Sequence, residues 1–383
     1  MPKKKKKNFI KGQSDYILWV VTLLLLALGL IMVLSASTPA SLTETKGKSS
    51  YEYLQTQAVA AILGLAGMYL LSRININVYK KISPIIYIGA TILMFYTGFY
   101  GSEKYGARRW LYIKPFPSFQ PSEIAKYCYI IFFAHYLSWA KKTNKIKKIT
   151  WGVIIPVALL AVPVFALYKL QNHLSATLLI SATVVVQMFV GGCSLVHMAA
   201  VFGIAISGIF GYLTLTGKAG TGFRDDRIDA WKNPEKYATG KGFQILQSMY
   251  AIASGGIFGL GIGNSKQKYI LPEPQNDFIF AILAEELGFI GCMVVVMLFI
   301  ILIWRGIVIA RKVKDTYAKL IAIGVTVIIG LQVILNIAVV TNTIPVTGIP
   351  LPFFSYGGTA LVINLCAIGL LQNVSRLAEN EIE

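Results

Sequence analysis

The sequence predicts an all-α polytopic membrane protein: a bundle of about ten transmembrane helices, with a long, partly helical extracellular loop between spans seven and eight. Three observations carry this. The 383-residue chain is 55% hydrophobic and 14% charged, with mean hydropathy +0.63, whereas a soluble chain carries about 25% charged residues. Apolar runs of about 20 residues, enough to cross the hydrocarbon core, recur along the whole length. Lysines and arginines gather in alternate gaps between those runs, as expected of cytoplasmic loops. An ordinary cytosolic enzyme, a disordered chain and a disulfide scaffold are therefore excluded. Cys128, Cys193, Cys292 and Cys366 are dispersed through apolar runs, and three histidines without a Cys-x-x-Cys leave little for a zinc site.

The elements follow in order. Residues 1–15 form a basic tail with six lysines. The run 16–37 is too long for a signal-peptide core, and Leu34-Ser-Ala-Ser-Thr-Pro is a weak cleavage site, so it reads as a retained anchor with its N-terminus inside. The further spans are 53–72, 82–99, 121–139, 151–168, 174–191, 196–215, 278–304, 319–341 and 359–375. The fifth to seventh are short or closely spaced, which makes eight the lower bound. The tail 376–383 returns to the cytoplasm, and the whole chain, 1–383, reads as one membrane domain. On this topology 20 of the 36 basic residues are cytoplasmic. Long loops are exempt from the positive-inside rule, and they hold most of the rest: four in 100–120 and eight in 216–276.

The loop 216–276 is too long and too aromatic for a linker, carrying Trp231, Tyr237, Phe243 and Tyr250. Its segment 242–253 has helical periodicity and is expected on, or dipping into, the bilayer surface. The glycine-rich 254–265 fits neither phosphate-loop pattern, so a re-entrant turn with close backbone approach is expected. The same is expected of the proline- and glycine-rich 345–359. No strand-rich segment is expected.

Charges within membrane helices are costly and mark function by default. Glu123 and Lys126 share a helix face, and read either as a self-neutralising structural pair or as the lining of a polar cavity. Glu285 and Glu286 point about 100° apart and have no assigned role. Asp277, just before a span, reads as an N-cap or, at the outer boundary, as a general base. Arg108, Arg109 and Trp110 suit a pyrophosphate at the lipid interface. Lys114, Arg224, Arg227, Lys232, Lys236, Lys241, Lys266 and Lys268 read either as substrate cations or as a surface facing anionic headgroups. Asp225, Asp226 and Asp229 are expected to pair with Arg224 and Arg227 rather than bind metal. His135, His173 and His197 are expected in packing or polar turns.

Several stretches together resemble the SEDS family, the FtsW/RodA-type peptidoglycan glycosyltransferases. They are Gly106-Ala-Arg-Arg-Trp-Leu, Phe119-Gln-Pro-Ser-Glu-Ile-Ala-Lys and Gly242-Phe-Gln-Ile-Leu-Gln-Ser. Next come Gly261-Ile-Gly-Asn-Ser-Lys-Gln-Lys and Leu271-Pro-Glu through Asp277-Phe-Ile-Phe-Ala to Glu285-Glu-Leu-Gly. The last is Thr347-Gly-Ile-Pro-Leu-Pro-Phe-Phe-Ser-Tyr-Gly-Gly-Thr. The resemblance implies ten spans with both termini cytoplasmic, and polymerisation of undecaprenyl-pyrophosphate-linked lipid II in the bacterial plasma membrane. It implies Asp277 as catalytic base. Arg108, Arg109, Trp110, Glu123, Lys126, Lys266, Lys268 and Ser355 are its candidate substrate-binding residues. It also implies a class B penicillin-binding protein, a transpeptidase, as partner, with other division proteins. Phe353-Phe-Ser-Tyr-Gly-Gly-Thr-Ala-Leu looks more like the division or sporulation branch than the elongation branch, and the septum is then the expected location. No cofactor is expected in the chain. Magnesium or manganese would suit the leaving group as a Lewis acid, but no ligand set demands it.

There are departures. Gln275-Asn276 replaces the usual His-Thr before the aspartate, and Tyr105 stands where asparagine is common. Gln171-Asn-His-Leu-Ser-Ala-Thr replaces Gln-Pro-Asp-Leu-Gly-Thr. A lipid II flippase and a non-catalytic scaffold are the rival readings. The flippase is weakened because no paired inverted repeats or broken helices are recognisable.

Overall fold

The computed structural model describes residues 12–44, 49–104, 107–112, 118–203, 229–240 and 242–380. It is an all-α multi-pass membrane protein. Its principal helices are α1 (Tyr16–Glu44), α2 (Glu52–Leu71), α3 (Ile76–Tyr100), α4 (Pro121–Lys142), α5 (Thr150–Leu170) and α6 (Leu174–Gly191). They continue with α7 (Phe243–Gly255), α8 (Ile279–Lys312), α9 (Thr316–Val340) and α10 (Gly358–Asn380). Among the described residues, eight helices are long and apolar enough to cross a membrane, namely all of these but α4 and α7.

The exception α4 is long enough, 22 residues or about 33 Å, but less apolar. It carries Glu123 and Lys126 in its first turns and Lys141 and Lys142 in its last. It packs against α3, α6, α9 and α10, so protein rather than lipid surrounds Glu123 and Lys126. The expected span 196–215 is helical over 195–203, and its remainder lies outside the described residues. Arg224, Asp225, Asp226, Arg227, Lys114 and Lys241 also lie outside them.

The α5–α6 turn and the α7–α8 and α9–α10 connections meet at one end of the bundle, where Ser175 bonds Thr347 O and Ser355 bonds Asn276 O. At the opposite end Arg305 of α8 pairs with Asp15 ahead of α1 through both Nε and Nη2. Asp15 also caps α1, its Oδ1 accepting from Leu18 N at 2.9 Å. Pro39 sits inside α1, which runs on through the suspected cleavage site.

Two expectations need correction. A small antiparallel hairpin exists: Ser102–Lys104 (β1) pairs with Ala107–Trp110 (β2). The eighth span is also not one straight helix. Gly288 adopts φ 68, ψ −169, breaking α8 into a short buried segment and a longer lipid-facing one. That backbone region is open essentially to glycine alone.

The expected close approach of the glycine-rich segment occurs at this break. Leu260 N and Gly261 N donate to the carbonyls of Glu285 and Glu286, both at 3.0 Å, and Phe289 N donates to Gly256 O at 2.9 Å. A Cβ on Gly288 would meet Gly259 N at 2.3 Å, so the two backbones touch. The carbonyls freed by the break are thus satisfied by the loop.

Candidate active site

The loop ending in Asp277 is tied down at three successive residues. Gln275 O accepts from Tyr356 N at 2.8 Å. Asn276 O accepts from Ser355 Oγ at 2.7 Å. Asp277 O accepts from Asn336 Nδ2 at 2.8 Å, and the same amide reaches Ile349 O at 2.8 Å. Ser355 Oγ in turn accepts from Leu351 N at 2.8 Å. From α2, Gln57 bridges Ser355 O and Gly357 N. The aspartate is therefore held through its backbone, and its side chain is half-buried. Asp277 does not occupy the N-cap: α8 begins at Ile279, and Phe278 holds that position.

The carboxyl lies beside the second proline- and glycine-rich loop. A Cβ on Gly348 would stand 3.4 Å from Asp277 Oδ2. Ser175 of α6 donates through its hydroxyl to Thr347 O, so this loop also touches the start of α6. Gln275 Oε1, Asn336 Oδ1 and Thr347 Oγ1 are buried around it without a hydrogen-bond partner among the described residues. Buried polar atoms are rarely left so, and a polar ligand is one way to satisfy them.

A second cluster forms where the start of α4 meets the hairpin and the α5–α6 turn. Lys126 Nζ donates to Glu123 Oε2 at 2.6 Å, with both side chains nearly enclosed. One turn away, Ser122 Oγ and Gln120 Nε2 stand 3.5 Å from the two ring nitrogens of His173. Arg109 Nη2 reaches Asn172 O at 2.6 Å. Burial, then the Arg109 and Lys126 charges, push the His173 pKa down to about 3, so its ring is neutral near pH 7. His173 sits buried in the turn, as the sequence led one to expect of a packing or polar-turn residue. The turn departs from the family pattern, and only the fold sets it against α4 and the hairpin.

The other expected site residues separate. Arg108 and Arg109 are strand neighbours, so they point to opposite faces. Arg108 is exposed, paired with Glu103 at 3.5 Å and donating to Phe99 O at 3.2 Å, and it does not join Arg109 over one site. Trp110 is half-buried in the hairpin, its carbonyl accepting from Ser102 Oγ at 3.2 Å. Lys266 is exposed. Lys268 is buried and committed elsewhere: its Nζ meets Gly263 O at 2.6 Å, Ser35 Oγ at 3.3 Å and Glu286 Oε1 at 3.4 Å. Ser355 is a loop brace, as described.

Glu285 and Glu286, unassigned from sequence, hold the loop 261–268. Glu285 accepts from the hydroxyl of Ser265 and from the backbone N–H groups of Lys266 and Gln267. Glu286 accepts from Ser35 Oγ at 2.6 Å, Ser265 N at 3.3 Å and Lys268 Nζ. Among the described residues, no group of three or more His, Cys, Asp or Glu side chains is placed to hold a metal ion.

The family model described as "Cell cycle protein", FTSW_RODA_SPOVE, matches residues 15–380. The chain belongs to this family. Within the FtsW/RodA/SpoVE family it is 40% identical to Stage V sporulation protein E of Bacillus subtilis (strain 168) over 370 residues, covering 96% of this chain and 98% of that one. It is 36% identical to the probable peptidoglycan glycosyltransferase FtsW of Geobacter sp. (strain M18) over 365 residues, covering 94% and 96%. Two solved relatives share the fold. One comes from work on the structural coordination of polymerization and crosslinking by a peptidoglycan synthase complex, with TM-score 0.78, 25% identity and coverage of 95% and 98%. The other is the rod shape determining protein RodA of Thermus thermophilus, with TM-score 0.68, 26% identity and coverage of 95% and 97%. FtsW/RodA/SpoVE membership over nearly the whole chain accounts for the six sequence motifs.

Proposed function

We infer that this peptidoglycan glycosyltransferase polymerises lipid II with Asp277 as general base. The 4-hydroxyl of one sugar attacks the anomeric carbon of another. Its proton passes to the Asp277 carboxylate as the new C–O bond forms. The bond from the anomeric carbon to the pyrophosphate oxygen breaks, and the electron pair leaves with undecaprenyl pyrophosphate. One displacement inverts the α-linked donor to a β-linked product, so no covalent intermediate is required. Arg109 and Lys126 are the cations for the leaving group, with Glu123 holding Lys126 in place. Gln275 and Thr347 offer acceptors to sugar hydroxyls. The single observation behind this reading is an aspartate braced through three successive carbonyls, its carboxyl against the Thr347–Gly348 loop that Ser175 ties to the start of α6.

Ten spans, cytoplasmic termini and a role at the division septum or in sporulation are the topology and setting that fit this activity. A class B penicillin-binding protein is the fitting partner, because glycan strands made here need crosslinking. A transporter would need a path through the bundle. The break at Gly288 does not supply one, since loop backbone seals it.

The test is polymerisation of lipid II by purified protein, with and without the transpeptidase, comparing wild type with Asp277→Ala. Both must elute as folded monodisperse species. Polymer from wild type alone supports the assignment. Equal polymer from both places the base elsewhere, and none from either overturns the reading.

A further inference from the structure

His173 is the one titratable group of the second cluster that the proposed chemistry leaves idle. It is 6% exposed, in the turn that joins α5 to α6. Gln120 Nε2 faces its Nε2 and Ser122 Oγ its Nδ1. A neutral ring protonated at Nδ1 satisfies both contacts. The charged groups near it, among the described residues, are Arg109 from the hairpin, joined to the neighbouring Asn172, and the Glu123–Lys126 pair from α4. The Thr347 loop contributes Tyr356 and no charged group, and Asp277 lies beside its Gly348.

Two cations beside a buried imidazole oppose its protonation. An anion arriving at Arg109 and Lys126 reverses the balance: it cancels the repulsion. We propose that His173 is a proton-taking member of the pyrophosphate subsite. Binding of a pyrophosphate group at Arg109 and Lys126 draws one proton from solution onto the imidazole. The inference rests on the leaving-group assignment above and deepens it. Linkage is reciprocal, so the anion binds more tightly as the pH falls. An aspartate in place of His173 would instead hold a permanent negative charge beside the cations and compete with the anion.

The test titrates inorganic pyrophosphate into the full-length protein by calorimetry, in pairs of buffers with different ionisation enthalpies, over about pH 5 to 7. Proton uptake per bound anion is compared between wild type and His173→Asn. The ionisation of pyrophosphate itself is common to both. Wild type is expected to take up as much as about one proton more, and His173→Asp to bind more weakly at every pH. Because the chain has three histidines, the imidazole resonance of His173 can also be followed directly in wild-type protein, independently of any variant. It should move to its protonated position on adding pyrophosphate. Equal proton uptake with binding intact, or an unmoved resonance at saturation, overturns the inference. So does the lack of saturable binding to wild type. Polymerisation measured on the same sample keeps that failure distinct from failure of the glycosyltransferase reading.

Discussion

Asn336, a buried amide in α9, holds two loops at once: one Nδ2 group donates to Asp277 O and to Ile349 O, each at 2.8 Å. The residue that carries the carboxyl and the loop that faces it are thereby fixed to the same rigid helix. A catalytic carboxylate must hold its position to a fraction of an ångström to act as a base.

Asn336→Leu is accordingly expected to lower kcat for lipid II polymerisation by tenfold or more, with a smaller change in KM. Two buried carbonyls lose their donor, which also costs about 1–3 kcal/mol of stability. Ser355→Ala should act in the same direction but more weakly, since Asn276 lies one residue further from the chemistry. Steady-state kinetics with thermal unfolding in detergent reads both. Unchanged kcat in a variant shown to be destabilised would refute the positioning role.

The Glu123–Lys126 pair is tested by a double-mutant cycle. Either Glu123→Gln or Lys126→Met alone strands a buried charge and should destabilise by about 3–5 kcal/mol. The double variant should recover much of that loss yet stay inactive, because the cation for the leaving group is gone. Recovery of polymerisation in the double variant would make the pair purely structural.

Gly288→Ala is expected to prevent folding or to lower the melting temperature sharply. Its φ of 68 and ψ of −169 suit glycine, and a Cβ would meet Gly259 N at 2.3 Å. Gly89, mid-way along α3 with nothing within 4 Å of an added Cβ, is the control. Gly89→Ala should leave stability unchanged or raise it slightly, about 0.4–1 kcal/mol. Equal effects at the two positions would contradict the kink.

Glu286→Gln should loosen the loop 261–268 from α1 and α8. Its carboxylate is fully buried and receives the Lys268 ammonium, so losing the charge leaves that cation unmatched. Faster hydrogen exchange over that loop is the expected sign. Lys268→Met alongside Glu286→Gln should restore part of the protection. Exchange unchanged in Glu286→Gln would remove the clamp from the account.

The depressed pKa of His173 gives a pH dependence of stability with a definite sign. In the unfolded chain the ring takes a proton below its ordinary value of 6.5, while in the fold it resists until about pH 3. Its contribution is thus present above pH 6.5 and is lost as the pH falls towards 3. His173→Asn should flatten that part of the melting-temperature profile. A profile with the same slope as wild type would place the acid sensitivity in other groups.

Much of this was legible in the chain. Apolar runs of bilayer length have one stable solution in lipid, the helix, because no water is there to satisfy an exposed backbone. Composition alone therefore fixed the class and most spans, and six ordered motifs fixed the family. Asp277, Glu123 and Lys126 stood out because charge at the membrane boundary is rare and costly. Other features depend on contacts between segments far apart in sequence. Two serially adjacent arginines split because the local strand, invisible in so short a hairpin, turns alternate residues to opposite faces. Lys268 looked like its neighbour Lys266, yet one is buried against Glu286 and the other is exposed. His173 joined the site, and Asn336 became its brace, only when α4, α6, α9 and two glycine-rich loops met at one end. Hydropathy is a property of each segment by itself, whereas a hydrogen bond between residues 59 positions apart, as between Asn336 and Asp277, exists only once packing has brought them together.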